Sequence, residues 1–252
     1  MAKVTPPDNS ASQDLAITLY GNASSHSYLR KWNHDIHHIE IGKTILRHFG
    51  LTKEDVVIEV GAGFGRYTSL LRSLGLRVIA CEPDRTMFEE LKSHFDKDKD
   101  VEVLPLAVQD LTRDRLAGAN GICGFHVLHH LTPDLLVELG SALDEALEST
   151  SAFKSWFFIE PNRANPLYVL QTLVDPAMSF REERGIWRTP FSRHMRTSAG
   201  GDPYVGAIGI FPPRPIASRL PNGAARLFTG IRAGRPRPYH LYRIYGGRGT
   251  MT

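Results

Sequence analysis

Three glycines alternate with other residues in the run Val57-Ile58-Glu59-Val60-Gly61-Ala62-Gly63-Phe64-Gly65-Arg66-Tyr67-Thr68. Glycine tolerates the positive φ angles of a tight turn and carries no Cβ to hold a ligand away from the backbone. A helix that starts at such a turn adds the positive end of its dipole. The chemistry implied is close backbone contact with a nucleotide-like ligand. Two carboxylates accompany the turn. Glu59 stands at the end of the apolar run before it, and Glu82 ends the next such run, Val78-Ile79-Ala80-Cys81-Glu82-Pro83, 21 positions after Gly61. An acid at that distance can accept both hydroxyls of a ribose, whichever adenosine compound is bound.

The glycine spacing separates the ligands. A dinucleotide fingerprint requires Gly-x-Gly-x-x-Gly, and the sixth position here is Arg66, which disfavours NAD. S-adenosylmethionine has no pyrophosphate for the helix end, but its ammonium group could be attracted by Glu59, directly or through water. The acid-x-Gly-x-Gly-x-Gly loop resembles the first motif of the class I S-adenosylmethionine-dependent methyltransferases. The resemblance extends over about Ile39 to Tyr168 and implies a Rossmann-like, doubly wound α/β domain with a mostly parallel sheet. It implies S-adenosylmethionine as cofactor, with S-adenosylhomocysteine as its product. By the same resemblance Glu59, Gly61, Ala62, Gly63 and Gly65 are expected to form the first contact, and Glu82 with Pro83 the second. Val108 and Gln109 of Ala107-Val108-Gln109-Asp110-Leu111 match the element that meets the adenine. Phe125 and His126 match the strand end that closes the methionine side.

The fourth strand runs into Phe125-His126-Val127-Leu128-His129-His130-Leu131, with three histidines in five positions. A metal site needs convergent ligands, whereas successive side chains at a strand end diverge, so no metal is expected. One histidine, His130 or His126, is the candidate general base, because imidazole titrates near neutrality. Methyl transfer from a sulfonium is an in-line displacement that depends chiefly on positioning. A base is required only for a protonated acceptor.

Glu160-Pro161-Asn162-Arg163-Ala164-Asn165-Pro166-Leu167-Tyr168 is similar to a segment that follows the fifth strand in a subset of small-molecule methyltransferases, which implies that Asn162, Asn165 and Tyr168 face the acceptor. The other reading is a loop stiffened by Asn side chains and Pro. Tyr28 and Trp32 are expected on the opposite wall, in a helix that covers the site or merely packs on it. The Asp/Asn-Pro-Pro-aromatic signature of exocyclic-amine methylation on nucleic acids does not follow the fourth strand. The expected acceptor is therefore a small metabolite, with nucleic acid disfavoured. Methylation of nucleic acid or protein, and cyclisation or aminopropyl transfer, are the alternatives.

These groups need strand ends and turns to hold them. Short β-branched runs at Val56 to Val60, Leu76 to Cys81, Val101 to Leu106, Ile122 to Leu128 and Phe153 to Ile159 alternate with helical patterns. Asp84 and Thr132 are suited to cap two of the helices. The alternation predicts strand order 3-2-1-4-5 with helices on both faces and ligands at the strands' carboxyl ends. By composition and rhythm the chain divides into a flexible leader (1–24), an N-terminal helical lid (25–50), a cofactor-binding core (51–161), an insertion that shapes the acceptor site (162–201) and a basic segment (202–252). The last contributes a final strand at Tyr239 to Tyr245 and completes the sheet.

The 252 residues are 42% hydrophobic and 23% charged, a globular composition without an apolar run of the ~20 residues a membrane span needs. The polar leader lacks a secretory signal, and Cys81 and Cys123 read as reduced packing thiols, so a cytoplasmic protein is expected. Net charge is +3, but Pro203 to Thr252 holds eight arginines with no lysine and no acid. Scattered singly among Pro and Gly, these arginines read as solvating the outer face of terminal strands.

Overall fold

The structure, a computed structural model, describes residues 36–116, 118–149, 152–162, 164–166, 168, 170, 204–210, 231–233, 237 and 240–248. The leader, Tyr28, Trp32 and most of the expected insertion lie outside the described residues. The elements are α1 (Ile36–His48), β1 (Val56–Val60), α2 (Arg66–Ser73), β2 (Arg77–Cys81), α3 (Arg85–Phe95), β3 (Val101–Leu104), α4 (Arg113–Leu116), β4 (Gly121–Phe125), α5 (Pro133–Ser149), β5 (Ser155–Pro161), β6 (Tyr204–Ile210), β7 (Arg232–Ala233) and β8 (His240–Arg248). Short 3-10 turns lie at Val108–Asp110 and Leu128–His130.

The strands form one sheet in the order β3-β2-β1-β4-β5-β8-β6-β7. The first five are parallel in the expected order, and β8 joins β5 antiparallel through Ile159↔Ile244 and Glu160↔Arg243. Being covered on both faces, β1, β4 and β5 are almost continuously apolar. On one face α1, α2 and α3 contribute Ile45, Leu70, Leu71 and Leu91, and the turn after α1 Phe49, to a core with Val57, Ala80, Cys123 and Phe157. On the other, Leu116 of α4 and Leu136, Leu139 and Leu143 of α5 meet Ile58, Cys81, Ile122 and Trp156. Capping follows the sequence: Asp84 accepts the Met87 amide at 2.9 Å, and the Thr132 hydroxyl that of Leu135 at 3.3 Å.

Most strand bounds shift by one to three residues from the sequence reading, and two differences change the architecture. The fourth strand stops at Phe125 rather than Leu128, because His126 takes φ 58° and turns the chain out of the sheet. β6 falls in a stretch that reads as Pro-, Gly- and Arg-rich loop. Its two internal glycines carry little strand propensity, and it exists because β8 offers it an edge and Ala207 and Ile208 are buried there.

Cys81 and Cys123 flank β1, opposite Val60 and Glu59, on opposite faces of the sheet. Burial pushes the Cys81 thiol up to about 12 and Cys123 well above its ordinary value. Since the thiolate is the nucleophile, neither should react with iodoacetamide in the native protein, and both should after unfolding. Rapid native labelling, or a Cys81–Cys123 disulfide in mass mapping without reductant, would contradict this strand order.

Candidate functional site

The turn after β1 is built on positive φ angles at Gly61 (67°), Gly63 (56°) and Gly65 (85°). The amides of Gly61 and Ala62 both donate to the Cys81 carbonyl, at 2.9 and 3.1 Å, which ties the turn to the end of β2. The Gly63 amide donates to Glu82 Oε2 at 2.7 Å, and Glu82 Oε1 accepts from the Asp84 amide at 2.9 Å. A carboxylate offers about four lone-pair directions, so each oxygen retains capacity for a ribose hydroxyl. A Cβ at Gly63 would meet nothing within 4 Å, so the turn presents bare backbone to open space beside Glu82. That arrangement fits an adenosine ligand. Val108 is buried while Gln109 and Pro83 are exposed, leaving both next to the strand ends without filling the space.

Glu59 lies behind the turn. It is 1% exposed, and its Oε2 accepts from the Thr68 hydroxyl at 2.6 Å, linking β1 to the first turn of α2. Burial raises Glu59 to about 8, the Thr68 hydrogen bond opposing and the Glu82 charge reinforcing the shift. Burial also raises Glu82 to about 7, against the hydrogen bonds from Asp84 and Gly63.

Opposite the glycines, the three histidines diverge. The His126 ring stacks near Tyr67, with Nε2 3.4 Å from the Tyr67 hydroxyl, and meets Tyr242 edge-on. The Tyr67 ring lies parallel to Phe125 at 4.1 Å, and the Arg66 guanidinium sits 5.5 Å from its centre. His129 turns inward to Glu160, and His130 packs on the His129 ring at 3.9 Å. Burial lowers His126 to about 4, with the nearby His129 and Arg66 reinforcing and Glu160 opposing. His130 is likewise held well below its ordinary value. His126 is thus neutral near pH 7, with Nε2 facing the Tyr67 hydroxyl.

The segment after β5 is partly a brace. Asn162 is fully buried, its Nδ2 donating to the Arg237 carbonyl at 2.8 Å and its Oδ1 accepting from the Ala164 amide at 3.1 Å. Asn165 is also buried, and its amide donates to the Asn162 carbonyl at 2.8 Å. Tyr168 is half-buried. Tyr67 and Tyr242 escaped the sequence reading. Tyr67 carries a usable signal, as the first aromatic residue in the helix behind the glycine turn. Tyr242 has none, because β8 returns beside β5 from 81 residues further along the chain.

Solved structures share this fold across nearly the whole chain. A methyltransferase from Thermotoga maritima superposes with a TM-score of 0.54 at 16% identity, covering 92% of this chain and 99% of that one. The 1,6-didemethyltoxoflavin-N1-methyltransferase of Burkholderia thailandensis, solved with S-adenosylhomocysteine, gives 0.51 at 16% identity over 98% and 93%. The chain therefore has the fold of the class I S-adenosylmethionine-dependent methyltransferases. Residues 27–110 match the family model for ribosomal RNA adenine dimethylase. The ribosomal RNA small subunit methyltransferases A of Thermotoga petrophila and Thermotoga maritima are each 33% identical over 99 residues, 39% of this chain and 37% and 34% of theirs. The chain thus aligns with little more than a third of the length of these curated relatives. These matches overturn the expectation that nucleic acid is disfavoured as a partner. That expectation leaned on one absent tetrapeptide after β4, whereas the matched residues 27–110 span the glycine turn and the second strand. Among the described residues, no helix is long and apolar enough to cross a membrane.

The raised carboxylates give a pH signature. Relative to the ordinary glutamate value of 4.5, Glu59 and Glu82 hold protons more tightly in the fold, so their stabilising contribution is full below about 4.5 and is lost as pH rises through 7 and 8. The lowered histidines act in the opposite sense, but only below their ordinary value of 6.5. Between pH 6.5 and 8.5 the carboxylates dominate. The ligand-free protein should lose roughly 2 kcal/mol of stability across that window, at up to ~1.4 kcal/mol per pH unit for each proton. Glu59→Gln should remove most of the slope. A melting temperature that rises over this window would show that the two carboxylates ionise normally.

Proposed function

We propose that this chain transfers a methyl group from S-adenosylmethionine to a base of a nucleic acid, RNA above all. The observation that carries the cofactor half is the Gly63–Glu82 pair: a side-chain-free turn facing open space, hydrogen-bonded to a buried carboxylate with acceptor capacity to spare. The acceptor half is supported by the family-model match at residues 27–110 and by the named relatives.

Glu82 would hold the ribose hydroxyls, and Gly61, Ala62 and Gly63 would lie against the nucleoside. Pro83, Val108 and Gln109 would flank the adenine, and Phe125 and His126 would border the methionine side. The cofactor supplies an electrophilic methyl on a positively charged sulfur. The chain's own part is placement and exclusion of water. Tyr67, His126 and Tyr242 present aromatic faces beside the strand ends, and bases stack on such faces with ~1–3 kcal/mol each. Neutral His126 can accept a hydrogen bond from an N–H of the incoming base and, where the acceptor must lose a proton, receive it. His130 stands outside the Tyr67–His126 contact, against the His129 ring. Of the two histidines expected as bases, His126 is therefore favoured.

The test joins calorimetry with S-adenosylhomocysteine and nucleoside mass analysis after incubation with an unmodified small-subunit ribosomal RNA transcript. Wild type should bind the nucleoside and add 14 daltons, or a multiple, to a base. RNA affinity should fall steeply with salt as phosphate contacts are screened. Glu82→Ala should weaken S-adenosylhomocysteine at least tenfold, each charge-assisted hydrogen bond contributing ~1.5–3 kcal/mol. His126→Ala should lower turnover roughly a hundredfold, a much larger effect than its loss of S-adenosylhomocysteine affinity. No nucleoside binding, or no loss in Glu82→Ala, would sink the cofactor assignment. Tight nucleoside binding with neither RNA modification nor salt-dependent RNA affinity would sink the acceptor assignment alone.

A further inference from the structure

Glu160, the penultimate residue of β5, is a carboxylate only 1% exposed that holds neither cofactor nor acceptor in the proposed reaction. Its Oε1 accepts from the backbone amides of Val127 and Leu128, at 2.9 and 2.8 Å, and its Oε2 lies 2.6 Å from His129 Nδ1. Three successive residues of the turn after β4 are thus held by one side chain more than thirty residues away. Sheet pairing does not require this, since the ladder between β4 and β5 already extends to the bond from the His126 amide to the Ile159 carbonyl at 2.8 Å. The next residues leave the sheet, with His126 at φ 58°, a conformation costing a non-glycine residue about 1–2 kcal/mol. A buried carboxylate is itself costly unless well bonded, so the two costs are met together only where its acceptors and the turn's orphan amides coincide.

The held turn also presses on the cofactor side. A Cβ at Gly61 would stand 2.7 Å from Val127 Cγ2, and one at Gly124 2.7 Å from Val127 Cγ1, so the Val127 side chain fills the space both glycines leave. A displacement of Val127 is therefore felt at Gly61, and one at its neighbour His126 is felt at Tyr67.

Building on the methyl-transfer reading, we infer that Glu160 and His129 form a positioning clamp that sets His126 on the acceptor side and Val127 against the glycine turn, registering the two halves of the site to each other. Neither residue touches the reacting atoms. A misplacement of about 1 Å costs roughly a hundredfold in rate, which is the effect expected when the clamp is cut.

The experiment compares Glu160→Ala, Glu160→Gln, His129→Ala and His129→Asn in the full chain. It measures turnover on the small-subunit ribosomal RNA transcript, S-adenosylhomocysteine affinity and melting temperature, with activity read well below the melting point of each variant. Gln can still accept both backbone amides and donate to His129 in its other tautomer, and Asn can place an N–H where His129 Nδ1 stands. The expected result is a fall in kcat of about a hundredfold in Glu160→Ala and about tenfold in His129→Ala, with a clearly smaller loss of nucleoside affinity in each and most of the rate restored by Gln and Asn. Should Glu160→Ala not fold, the His129 pair alone decides. A lowered melting temperature with unchanged kcat would reduce the clamp to a structural brace. Equal losses in kcat and nucleoside affinity would place Glu160 in cofactor binding instead. A wild type that binds S-adenosylhomocysteine but modifies no RNA would overturn the acceptor reading. In that case a far-downfield His129 imidazole proton, present in wild type and lost in Glu160→Gln, still reports whether the pair is joined, and its absence from wild type would overturn the clamp.

Discussion

The site depends on position 61 having no side chain. At φ 67° the turn after β1 reverses tightly enough for the Gly61 and Ala62 amides to reach the Cys81 carbonyl, and the space a Cβ would take is filled by Val127 from the turn after β4. Two loops that lie 66 residues apart in sequence therefore touch directly. With that contact in place, Gly63 faces open space, Glu82 reaches its amide, and α2 starts where Tyr67 can stack on Phe125. A larger residue at 61 would push the two turns apart and strain the backbone at once.

Around this contact the fold places three buried carboxylates at strand ends, and each is bonded differently. Glu59 takes a hydroxyl from Thr68, Glu82 takes the amides of Gly63 and Asp84, and Glu160 takes two amides and an imidazole. Burying charge without partners is expensive, and these partners are largely main-chain donors at turns that would otherwise lack acceptors. The carboxyl edge of the sheet is thus held by polar contacts, while the two apolar cores below it supply the bulk of the packing. The edge is accordingly the region where protonation can alter stability and where a ligand can exchange for existing contacts.

On the acceptor side the chain departs from the exocyclic-amine signature and offers a different surface. Where that signature would stand, Phe125 and His126 meet Tyr67 from α2 and Tyr242 from β8. These four rings come from three separate parts of the chain, and His126 adjoins the turn that Glu160 bonds. Asn162, expected to face the acceptor, has its amide committed to the Arg237 and Ala164 backbones. It shapes the rim from within the protein.

The glycine turn, the two carboxylates of β1 and β2, the strand order and the helix caps were all legible in the sequence. Each is a local pattern: a dihedral that only glycine tolerates, a strand that ends in an acid, or an Asp or Thr followed by a helical repeat. The nearness of Glu82 to Gly63 could be expected for the same reason, since adjacent parallel strands bring their ends together. Long-range partnership decided the rest. β6 has too little strand propensity to declare itself, and it forms because β8 presents an unpaired edge. Which histidine points where follows from the left-handed backbone at His126 and from a carboxylate on another strand, neither of which has a sequence period. Spacing placed the acids and the glycines. Only the folded chain determined that Glu160 holds a turn, that Tyr242 joins the aromatic cluster, and that Val127 occupies the space Gly61 leaves, because those contacts form between segments that meet only when the sheet closes.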